Sequence, residues 1–107
     1  MIKFKPGVVI EDLPKEMYAL FPILDELFAK ENADAIITSA RDGVHKKNSL
    51  HHRHRAFDLR SKHLNEDAKM RVFSKMKTDL SPFGYDILLE ALGKPNEHFH
   101  IEHDPKQ

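Results

Sequence analysis

Ser49-Leu50-His51-His52-Arg53-His54-Arg55-Ala56-Phe57-Asp58 is answered near the far end of the chain by His98-Phe99-His100. Two imidazoles and a carboxylate, split between two distant segments, match the ligand set of a catalytic zinc site. Such a site takes three protein ligands and leaves the fourth position to water. A structural zinc site wants four side-chain ligands, usually with thiolates, and this chain has no cysteine. The chemistry points to hydrolysis.

The surrounding residues suit that role. Gly43 and the polar run Lys46-Lys47-Asn48-Ser49 precede His51, which places that residue on a loop or where a strand begins. Arg55 to Leu59 alternates polar and apolar, as a half-buried strand does, so Ala56 and Asp58 share one face while Phe57 and Leu59 point to the core. The same period of two puts His98, His100 and Glu102 on one face, with Phe99 and Ile101 buried behind them. His52 and His103 fall out of phase and read as surface residues, as do His45 and His63, which no motif supports. A histidine cluster such as His51, His52 and His54 is ordinarily a solvated basic loop; Asp58 and the distant H-x-H turn the reading toward metal.

Working outward, Pro14 opens a helical pattern of Met17, Leu20, Phe21, Leu24, Leu27 and Phe28, with Pro22 predicting a kink or two short helices. Ala35 to Ser39 reads as a buried strand. Asn65 caps a further helix with Glu66 and Asp67 in its first turn and a stripe of Ala68, Val72, Phe73, Met76 and Leu80. Ser81-Pro82-Phe83-Gly84 is a turn, Tyr85 to Glu90 a strand, and the loop Ala91 to Glu97 leads into the last strand. The sum is an α+β fold: a small antiparallel sheet carrying the site, packed against two or three helices, with residues 1–107 forming one domain.

Composition limits the partners. Lys and Arg number 17, as do Asp and Glu, and the formal net charge is zero, so no broad nucleic-acid or anionic-membrane footprint is present. No apolar run approaches the ~20 residues that span a bilayer. Met1-Ile2-Lys3-Phe4-Lys5-Pro6 lacks the apolar stretch of a secretory signal, so synthesis in the cytoplasm is expected, any action outside it following release. A monomer is expected.

The string S-x-H-x-x-x-x-A-x-D followed by H-x-H resembles the Hedgehog/D-Ala-D-Ala-peptidase zinc superfamily, which includes D-Ala-D-Ala carboxypeptidases and phage L-Ala-D-Glu endopeptidases. The likeness starts at Ile36-Ile37-Thr38-Ser39-Ala40-Arg41 and runs through Asp86-Ile87-Leu88-Leu89-Glu90 to His98-Phe99-His100-Ile101-Glu102. It implies Zn2+ on His51, Asp58 and His100, with His98 beside the metal stabilising the transition state. It also implies that Arg41 clamps a carboxylate or oxyanion, a role suited to a guanidinium. One departure is His54, where the family usually has glycine; this residue and Ser49 are expected to line the substrate groove.

The general base has two candidates. Glu90 ends the D-I-L-L-E strand and resembles the glutamate at that place in Hedgehog-like members, whereas Glu97 has the E-x-x-H spacing of some dipeptidase members. Glu90 is preferred because a strand end is better fixed than a Gly/Pro loop. Glu102 either orients a ligand imidazole or is a plain surface residue. The expected activity is zinc-dependent hydrolysis of a peptide bond in peptidoglycan stem peptides, of carboxypeptidase or endolysin type. The alternative is a non-catalytic zinc module of the same fold, used for stability or partner docking. A non-haem iron oxygenase also uses two histidines and a carboxylate, but the gap from His51 to Asp58 does not fit its H-x-D/E spacing.

Overall fold

Period-two segments become neighbouring strands in the computed structural model, which describes residues 1–41 and 55–105. In chain order the elements are β1 (Ile2–Phe4), α1 (Lys15–Tyr18), α2 (Leu20–Ala29), β2 (Ala35–Ser39), β3 (Ala56–Arg60), α3 (Glu66–Leu80), β4 (Tyr85–Glu90) and β5 (His98–His103). A short 3-10 turn at Ser81–Phe83 joins α3 to β4. The strands form one sheet in the order β1-β2-β3-β5-β4.

This is an α+β fold, and its sheet is mixed rather than wholly antiparallel. β1 runs parallel to β2, pairing Ile2 with Ala35 and Phe4 with Ile37, while every other pair is antiparallel. The parallel edge strand carries no alternation signal: of its three residues only Ile2 is half-buried. The first helical stretch breaks at Ala19, not at Pro22. Pro22 falls in the first turn of α2, where its missing N–H has no helical partner to lose.

The helices cover one face of the sheet. Leu24 and Phe28 of α2, Val72, Met76 and Leu80 of α3, and Ile37, Phe57, Leu59, Phe99 and Ile101 of the strands share one buried cluster. Phe99 meets Phe28 edge-on and stacks with Phe73. Asn65 caps α3, its side chain accepting the Ala68 N–H at 2.8 Å. Gly84 adopts φ 87°, the left-handed conformation that closes the turn before β4.

β5 alternates half-buried and buried residues along its whole length. Its buried positions are Phe99, Ile101 and His103, so His103 is not a surface residue. Being out of phase with His98 and His100 sends its ring to the opposite side, where it lies 4.8 Å from the Tyr85 ring centroid and its Nδ1 is 3.4 Å from Arg55 Nη1. His63 is exposed, as expected, with Nε2 2.7 Å from the Asp34 carbonyl.

Candidate metal centre

The uncovered face of the sheet gathers the ligand-type residues. Antiparallel pairing sets Asp58 of β3 directly opposite His100 of β5, and His98 opposite both Arg60 of β3 and Glu90 of β4. Directly opposed residues hold their Cβ atoms about 4.5–5.5 Å apart, so short side chains meet. In β2 the register shifts between Ile37, opposite Leu59, and Ser39, opposite Asp58, which leaves Thr38 as the extra residue of a bulge.

His100 Nδ1 lies 2.8 Å from Asp58 Oδ1, and its Nε2 lies 2.7 Å from Glu102 Oε1. Burial alone lowers the pKa of this imidazole, but the hydrogen bonds to Asp58 and Glu102 outweigh it and raise the pKa above the ordinary value. His98 donates from Nδ1 to the Asn96 carbonyl at 2.7 Å, which turns Nε2 toward the site. That atom is 3.3 Å from Glu90 Oε1 and 3.8 Å from Asp58 Oδ1. Glu90 Oε1 is also 3.7 Å from His100 Nδ1.

This donor set suits a zinc ion. Each ring nitrogen of His100 faces a carboxylate oxygen, Nδ1 that of Asp58 and Nε2 that of Glu102. Neutral imidazole and carboxylate are ordinary zinc ligands, and a carboxylate on the far ring nitrogen is the usual way to fix the tautomer. Glu102 Oε1, 2.7 Å from His100 Nε2, contacts the ring as an orienting carboxylate would.

Glu97 goes elsewhere. It is only 6 % exposed, and its carboxylate accepts from Ser61 Oγ, from Lys69 Nζ at 3.0 Å and from the Gly93 N–H at 3.1 Å. Burial pushes this carboxyl upward, but those donors and the Lys69 charge outweigh it and hold the pKa at about 2. The E-x-x-H spacing therefore corresponds here to a buried ion pair with α3. Arg41 is exposed just after β2, its backbone N–H donating to Val9, and no described contact joins its side chain to the Asp58–His100 pair. Ser49, His51 and His54 lie outside the described residues, as do His45 and His52.

Arg60 is the neighbour that motif reasoning passed over. It shares the face of Asp58 by the same two-residue repeat, so extending the alternation one step would have found it. A second group of carboxylates, on Asp86, Glu102 and Asp104, brings one oxygen each within 4.8 Å of one another. An all-oxygen set of this kind suits calcium or magnesium rather than zinc, and exposed acidic groups commonly sit together without an ion. No family model, curated protein or solved structure matches the chain. Among the described residues, no helix is long and apolar enough to cross a membrane.

Proposed function

We propose that this chain is a zinc-dependent peptidase that hydrolyses a peptide bond in peptidoglycan stem peptides. The observation that carries the reading is the 2.8 Å approach of His100 Nδ1 to Asp58 Oδ1 across β3 and β5, with Glu90 and His98 beside it. The sequence likeness supplies the third ligand, His51, and the substrate class. When bound, zinc supplies Lewis acidity toward a peptide carbonyl and toward water.

The chain's own groups divide the remaining work. Asp58, His100 and His51 hold the ion, and Glu102 fixes the His100 ring. Glu90, partly open to solvent at the end of β4, takes a proton from the attacking water and returns it to the leaving amine. His98, held through Nδ1 by the Asn96 carbonyl, turns Nε2 toward the place where charge develops in the transition state. Arg41 is assigned a clamp on a carboxylate or on the oxyanion on the strength of the likeness alone, and Ser49 and His54 the groove.

The test is incubation of zinc-loaded protein with purified sacculi, followed by mass spectrometry of the soluble fragments. New peptide termini that vanish on chelation are expected. Stoichiometric zinc binding without any new terminus would overturn the peptidase reading and leave the non-catalytic zinc module in its place.

A further inference from the structure

A cleft of about 610 Å³ opens beside the candidate metal centre, lined by Lys5, Thr38, Asp58, Arg60, Lys62 and His98 among others. Its charges do not cancel. Glu97, which also borders it, is committed to Lys69 and Ser61, and Asp58 is engaged with His100. Lys62 Nζ donates to the Pro95 carbonyl, a neutral acceptor. Among the described residues the side chains of Arg60 and Lys5 have no partner in an ion pair or hydrogen bond. The cleft therefore presents uncommitted positive charge directly next to His98.

We propose that this cleft is an anion subsite in which Arg60, assisted by Lys5, holds a carboxylate of the peptide substrate. The inference rests on the peptidase reading for its substrate class. A guanidinium offers two parallel N–H donors to a carboxylate, which fixes orientation as well as charge. Arg60 stands two residues along β3 from Asp58 on the same face, a displacement of roughly 6–7 Å. That spacing places the bound carboxylate within one or two residues of the bond at the metal centre. The subsite thus selects peptides carrying a free carboxylate close to the scissile bond, either the terminal group or an acidic side chain.

Calorimetric or NMR titration of metal-free and zinc-loaded protein with three acetylated tripeptides tests this. One probe has a free terminal carboxylate, one is its terminal amide, and one is an amide containing an internal glutamate. At low salt at least one carboxylate probe is expected to bind about tenfold more tightly than the neutral amide, and which one does identifies the source of the carboxylate. Arg60→Gln is expected to abolish the preference, and Arg60→Lys to retain part of it. Equal binding of all three probes overturns the proposal, as does a preference that survives Arg60→Gln in protein with an unchanged circular-dichroism spectrum. Cleavage is scored separately. A carboxylate preference without hydrolysis retains the subsite and removes the peptidase reading, whereas hydrolysis at equal kcat/KM for acid and amide does the reverse.

Discussion

Asp58 and His100 lie 42 positions apart in the chain, yet their side chains meet because two strands pair them directly. Removing either is expected to weaken zinc binding by more than the roughly 10- to 100-fold that losing an orienting partner costs. Glu102→Gln is expected to fall within that 10- to 100-fold range. Competition titrations with a chelating dye measure all three, and wild-type affinity in His100→Ala would remove the assignment. Glu90→Gln poses a different question: it should keep zinc while turnover drops by roughly 10² or more, since the group placed to carry the proton is gone. If Glu97→Gln instead loses the turnover and Glu90→Gln does not, the roles are reversed.

Between the elements, Glu97 pins the 91–97 loop to α3 through Lys69, which is itself buried. Glu97→Gln leaves that ammonium without its buried partner and is expected to cost about 3 kcal/mol, read by urea denaturation. The pH dependence has a definite sign. A carboxyl held at about 2 in the folded protein, against 4.5 ordinarily, adds stability that is fully present above about pH 5 and is lost as the pH falls toward 2. Melting curves between pH 2 and 7 should show this acid limb flatten in Glu97→Gln. The strand and helix boundaries could be read from the sequence because their signals are local: the two-residue alternation of β3 and β5, the Asn65 cap, the apolar stripe of α3. The partner of Glu97 could not. Lys69 lies on a distant helix, and a lysine and a glutamate in polar surroundings read as solvated until packing brings them together. β1 was illegible for a simpler reason, since three residues with one half-buried side chain carry no period.

For the whole molecule, zinc is expected to act as a cross-strand tie whose ligands come from β3, β5 and the segment before β3. A ligand that binds only the native state stabilises it by about 4 kcal/mol when present at 1,000 times its Kd. Chelation should therefore lower Tm, and the shift should disappear in Asp58→Ala; scanning calorimetry with and without chelator measures both. The candidate site was legible as a set of residue types, because spacing and period survive in one dimension. The cleft beside it was not, since Lys5 comes next to Arg60 and Lys62 only through the strand order. That order has a further result. β5 lies between β3 and β4 but follows both in the chain, so a ribosome releases two strands that cannot yet touch and supplies the one that joins them afterwards. Until then Asp58 and Glu90 have no His98 or His100 to face. A growing chain thus carries no assembled centre, and whatever chemistry the site performs is withheld from the newborn protein until its sheet is complete.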